Sequence, residues 1–154
     1  MMEHARRIVL IAATLWISGL ATAFAGVYFE RDGVAIGGYD PVAYFTEQKP
    51  VKGSPEFQSV HRSSTFQFSS AAHRDAFVAE PDTYAPQYGG FCAYGMAKGY
   101  KAKIDAASFT IVDGKLYLNY NDTVRAQWLS DVPGYVRKAE SNWPAVMTLT
   151  KVFE

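Results

Sequence analysis

The sequence predicts an α+β fold: a single small domain with antiparallel β-hairpins packed against several short helices. Three observations predict it. "FTIVDGKLYLNY" sets Asp113-Gly114 between two alternating apolar runs, the pattern of a type I′ hairpin. "PEFQSVHRSSTFQFSS" alternates large apolar and polar residues on both sides of "RSS", as a hairpin does when one face is buried. "AAHRDAFVAE" and "DTVRAQWLSDVPGYVRKAESNW" read as helices, and hairpins interspersed with helices in this order give α+β with antiparallel pairing.

Taken in order, residues 1–25 read as a signal peptide. Arg6 and Arg7 precede the apolar run "IVLIAATLWISGL", and "ATAFA" supplies small residues before a cleavage point after Ala25. That run is short of the ~20 apolar residues a bilayer span needs, so no integral span is expected once the segment is removed. Residues 26–144 form the domain, and residues 145–154 a short tail expected to fray. "VYFERDGVAI" is extended with a turn at Asp32-Gly33. Asp40 then caps a short helix from Pro41 to about Thr46, since proline is tolerated where no amide hydrogen is needed.

In the hairpin that follows, Phe57, Phe66 and Phe68 point inward. Ser69 or Ser70 caps the next helix, which ends at Pro81 and turns Ala72, Ala76 and Phe77 toward the hairpin. Pro86 opens either a helix or, given Gly89-Gly90, a turn followed by a helix from about Phe91 and stopped near Gly99. "YKAKI" and "FTIV" are strands. Two helical pieces divided near Pro133 close the domain, with Trp128 and Trp143 as packing anchors.

Charge and motifs exclude several function classes. Lys plus Arg and Asp plus Glu number 15 each, and removal of residues 1–25 takes Arg6, Arg7 and Glu3 with it. Such a balance gives no electrostatic footprint for nucleic acid. "GGYDP" is not the G-x-G-x-x-G of a dinucleotide site, and no G-x-S-x-G occurs. A papain-like arrangement needs a histidine downstream of its cysteine, and none follows Cys92.

Cys92 is the one cysteine, so in the periplasm or outside the cell it has no intrachain partner. In a helix starting at Phe91 its thiol would lie in the first turn, where free amides and the macrodipole favour a thiolate. Met96, four residues on, would emerge from the same face, and thiolate with thioether suits a soft ion such as copper(I). From spacing alone, a buried thiol beside a core-filling methionine is the simpler reading. His61 and His73 are the histidines outside the signal segment, His61 at a strand end and His73 in the first turn of its helix.

"GGYDPVAYF", "FQFSSAAHRDAFVAEPDTYAPQYGG" and "IVDGKLYLNYN", in that order, resemble the YHS-domain family, in particular a group of small exported bacterial proteins. The resemblance runs from about Val34 to Trp143. It places Ala43 and Ser69 where metal-binding members carry two cysteines, and His73 at a third ligand position, so only His73 keeps a donor and a closed zinc site is not expected. It also places Cys92 where some relatives of the exported group carry selenocysteine, which implies redox chemistry or soft-metal binding at that sulfur.

Three functions follow as expectations. The first is an exported accessory protein holding a soft metal ion, copper-like, through Cys92, Met96 and His73. In the second, Cys92 is the catalytic nucleophile of a thiol redox protein acting on a small thiol or peroxide and resolved by an external thiol. The third is a non-catalytic interaction domain with a buried Cys92, meeting a periplasmic protein partner through tyrosines such as Tyr39, Tyr44, Tyr94 or Tyr100.

Overall fold

Glycine and aspartate at the tips of apolar runs set the framework. In the computed structural model, which describes residues 27–154, β1 (Glu30–Arg31) and β2 (Val34–Ala35) pair antiparallel across Asp32-Gly33, both at positive φ. The expected signal segment lies outside the described residues. Asp40 does cap α1 (Ala43–Thr46): its Oδ1 accepts the amides of Val42 and Ala43. The helix begins at Ala43, two residues later than expected.

β3 (Ser54–His61) and β4 (Ser64–Phe68) form the first long hairpin, turning at Arg62-Ser63. Phe66 and Phe68 are fully buried and Phe57 half-buried, as the alternation requires. Ser70 caps α2 (Ala71–Ala79) by accepting the His73 amide, and α3 (Pro81–Tyr84) follows at once. Of the face expected to meet the hairpin, Phe77 is buried, stacked on Phe66 and Phe68, whereas Ala72 is exposed. One large ring fills the contact, so the smaller residue a turn away is not needed there.

A tight 3-10 turn over Gln87–Gly90 leads to α4 (Ala93–Ala97), with Cys92 as its N-cap. Gly89 is required in that turn: its φ is +63°, and a Cβ there would collide with the Val27 carbonyl. Asn142 holds the other end of α4 by donating to the Met96 and Ala97 carbonyls, at 3.0 and 3.2 Å. β5 (Lys101–Ala102) precedes β6 (Asp105–Val112) and β7 (Lys115–Asn119), which make the predicted Asp113-Gly114 hairpin with both turn residues at positive φ.

Two helices complete the domain, α5 (Asp122–Leu129) and α6 (Val132–Val146). Trp128 is fully buried against Tyr117, and Trp143 is half-buried beside Tyr88. The expected domain end at Pro144 is not a structural boundary. α6 runs through it, and β8 (Val152–Phe153) pairs with β5 in parallel, the exception among the four two-stranded sheets of the described residues. Buried Lys101 holds this segment by donating to the Met147 and Leu149 carbonyls at 2.9 and 2.7 Å, where a cation meets the carbonyl end of a helix. The tail is therefore part of the fold.

Apolar packing divides into two clusters. The larger holds Trp128, Tyr117, Leu118, Tyr44, Phe91, Met96 and Cys92; the smaller gathers Phe66, Phe68 and Phe77 with Tyr28. No helix among the described residues is long and apolar enough to cross a membrane.

Candidate functional site: a cavity over Cys92

Cys92 occupies the junction between an irregular turn and a five-residue helix, and its sulfur behaves as a cap. The Gly95 amide donates to Sγ at 3.4 Å, as it would to the oxygen of a capping serine. On its other side Sγ lies 3.6 Å from Asn119 Oδ1, which accepts the thiol hydrogen and also the Tyr94 amide at 3.2 Å. Asn119 is completely buried at the end of β7, and its Nδ2 has no partner among the described residues.

Cys92 is only 1% exposed. It nevertheless lines a cavity of about 430 Å³ walled by Tyr94, Tyr100, Ala102, Tyr120, Val124 and Phe153. These come from three stretches of chain, residues 92–102, residues 120–124 and the C-terminal strand β8, which meet around one sulfur. Tyr100 and Phe153 meet edge to face at 5.1 Å, joining the C-terminal strand to the rim.

Burial pushes the Cys92 thiol up, and the backbone amides of Gly95, Tyr120 and Tyr94 pull it down by less. The expectation of a helix-end thiolate is therefore corrected. A helix of five residues supplies little dipole, and desolvation outweighs three amide contacts. Cys92 stands as a protonated thiol at neutral pH.

The structure separates the three sequence-predicted donors. Met96 is fully buried in the larger cluster and does not line the cavity; α4 begins after Cys92, so the pair is cap and last turn rather than a stripe on a long helix. Tyr88, in the 3-10 turn, sits apart with its hydroxyl toward the Val136 carbonyl. His73 belongs to another neighbourhood altogether. Its Nδ1 is 2.6 Å from Asp40 Oδ2, which also accepts the Ser69 amide and hydroxyl, and its Nε2 is 3.4 Å from Thr46 Oγ1.

Asp40 is thus satisfied by two amides of its own helix, two groups of Ser69 and one imidazole. The cluster ties α1 to α2 and leaves Asp40 no free oxygen for a ligand. Among the described residues no group of three or more His, Cys, Asp or Glu is placed to hold a metal ion. His61, at the strand end as expected, is surrounded by the rings of Tyr28, Phe66 and Phe77. Of the tyrosines considered for a partner surface, Tyr44 is fully buried with its hydroxyl donating to the Ala106 carbonyl, and Tyr94 and Tyr100 wall the cavity instead.

Sequence reasoning missed Asn119, Tyr120, Val124 and Phe153. An asparagine at a strand end reads as a turn former, and Phe153 lay in a segment read as loose. No local spacing links them to Cys92. Searches of protein-family models, curated proteins and solved structures find no match to this chain.

Proposed function

We propose that this protein is an exported accessory module of the YHS-domain group that binds a small, apolar-bodied ligand over Cys92, with the thiol as the floor of the site. The observation that carries this reading is that Cys92 faces an aromatic cavity while its hydrogen-bonding capacity is met by Gly95 and Asn119. At about 430 Å³ the cavity lies within the range of small-ligand sites, roughly 300–1,000 Å³. Membership in the group rests on the resemblance of the three sequence blocks, of which the first two meet in the fold where Asp40 bonds Ser69 and His73. The experiment is maleimide modification of Cys92 with and without a naphthalene-type ligand. Slowing by the ligand is expected, and an unchanged rate overturns the reading.

Thiol redox work is the second reading, and the three amides around Sγ favour it, since they would stabilise a thiolate once formed. The sulfur would attack a peroxide to give a sulfenic acid and release an alkoxide or hydroxide. One external thiol would then condense with the sulfenic acid to a mixed disulfide and water, and a second would attack that disulfide, releasing Cys92 as the thiol and the two external thiols as their disulfide. Copper binding is the remaining expectation. Of its three named donors only Cys92 faces the cavity, so stoichiometric copper(I) uptake that Cys92→Ala abolishes and Met96→Leu leaves intact would favour a metal over an organic ligand.

A further inference from the structure

A second cavity, of about 330 Å³, lies at the seam between the two apolar clusters and shares no residue with the one over Cys92. Tyr28 of the smaller cluster lines it, as do Tyr88 of the larger and Trp143 packed against that cluster. Polar side chains reach the same space from four segments: Arg62 of the β3–β4 turn, Asp82 of α3, Gln87 of the 3-10 turn and Lys115 of β7. Asp82 is the one carboxylate in the lining, and it pairs with Arg62 at 3.3 Å. Both partners stand at the mouth, 56% and 81% exposed, so solvent weakens the bridge and leaves the guanidinium available. Lys115 adds a cation that no carboxylate of the wall offsets. Burial first, then Tyr117 and Glu140, raise the Tyr88 phenol, so a further carboxylate stands behind the aromatic wall, outside the lining.

Backbone strain marks the same place. Among the described residues three hairpins close with two-residue turns. Asp32-Gly33 and Asp113-Gly114 use residues that tolerate positive φ, whereas Arg62 and Ser63 are held at +46° and +66°. Tyr88, also in the lining, is held at +54°. Neither arginine nor tyrosine favours the left-handed region, and residues kept there against their preference cluster where a side chain must be aimed at a ligand.

We propose that this cavity binds a small hydroxylated carboxylate, a sugar acid of one ring, with its carboxylate toward Arg62 and Lys115. A guanidinium fork matches a carboxylate, and the ammonium adds a second charge-assisted bond. The rings of Tyr28, Tyr88 and Trp143 offer apolar faces to the C–H side of a pyranose, while Asp82 and Gln87 can bond its hydroxyls. A wholly apolar ligand would strip water from these polar groups and give nothing back. At about 330 Å³ the cavity is near the lower end of small-ligand sites, roughly 300–1,000 Å³, and has room for one ring. The inference goes beyond the reading of Cys92 and does not depend on it.

The test follows the Trp143 indole and Gly89 amide signals by NMR during titration with D-glucuronate, with its neutral parent D-glucose, and with benzoate, a carboxylate without hydroxyls. Glucuronate is expected to shift both signals and to bind about tenfold more tightly than either of the others. Lys115→Gln should narrow the preference over glucose several-fold. Arg62→Gly, which relaxes the turn, should weaken glucuronate about tenfold in a protein whose unfolding midpoint is no lower than the native one. Cys92→Ser, altered in the other cavity, should bind glucuronate as the native protein does. Signals unmoved by glucuronate, equal affinity for glucuronate and glucose, or native affinity in Arg62→Gly overturns the proposal. Benzoate binding as tight as that of glucuronate overturns the sugar-acid class, and loss of binding in Cys92→Ser overturns the assignment to this cavity.

Discussion

Asn119 Oδ1 stands between Cys92 Sγ, 3.6 Å away, and the Tyr94 amide, 3.2 Å away, so one buried side chain positions both the thiol and the start of the helix that follows it. The acceptor orients the sulfur. Replacing Asn119 with Leu leaves the Tyr94 amide without its partner in a buried setting. A loss of about 1–3 kcal/mol is expected in urea unfolding, the usual consequence of orphaning a buried donor.

The capping role of Cys92 gives a second prediction. Serine reproduces both partners, accepting from Gly95 and donating to Asn119, whereas alanine reproduces neither. Cys92→Ser is expected to remain within about 1 kcal/mol of the native protein and Cys92→Ala to fall below Cys92→Ser by a further ~1 kcal/mol, the cost of losing a cap. Thermal or chemical unfolding of the three proteins checks the order.

Alkaline pH should weaken the fold, and the sign follows from proton counting. Burial raises the Cys92 thiol in the folded chain and likewise the phenols of Tyr44, Tyr88, Tyr28 and Tyr117. Above its unfolded value such a group loses its proton in the unfolded chain first, so the folded state holds more protons and stability falls as pH rises. The decline is expected to begin near pH ~8.5 through Cys92 and to steepen above ~10 through the tyrosines. Unfolding measured from pH 7 to 11 tests this, with Cys92→Ser flattening the first part alone. Maleimide modification of the native protein should show a midpoint above the free-thiol value of about 8.5.

Phe153 controls access to the sulfur. It walls the cavity, packs on Tyr100 and is 45% exposed, so its removal opens the rim without excavating the core. Phe153→Ala is expected to speed maleimide modification of Cys92 several-fold while costing little stability. An unchanged rate would place the route to the thiol elsewhere.

The Asp40 cluster predicts the largest structural effect. Asp40→Ala leaves the amides of Val42, Ala43 and Ser69 and the His73 imidazole without their shared acceptor. A loss of several kcal/mol is expected, since each buried donor left without its acceptor costs about 1–3 kcal/mol. His73→Gln should cost less, since four donors to the carboxylate remain. Unfolding of both variants gives the comparison.

What the sequence determined was local. Asp113-Gly114 fixed a hairpin because only residues tolerant of positive φ make a type I′ turn, and the period-two pattern around "RSS" fixed which phenylalanines face inward. Asp40 was legible as a cap because proline follows it. The Cys92 site was legible only in its near part, because the walls beyond Ala102 come from residues 120–124 and from β8, which share no spacing with Cys92. The tertiary structure alone decided that Asn119 meets the thiol and that β8 returns to β5. It also decided that Met96 turns into the core and that His73 turns to Asp40. Burial then reversed the expected ionisation of the sulfur, since desolvation depends on every neighbour at once, whereas a helix-end amide can be read from a few residues.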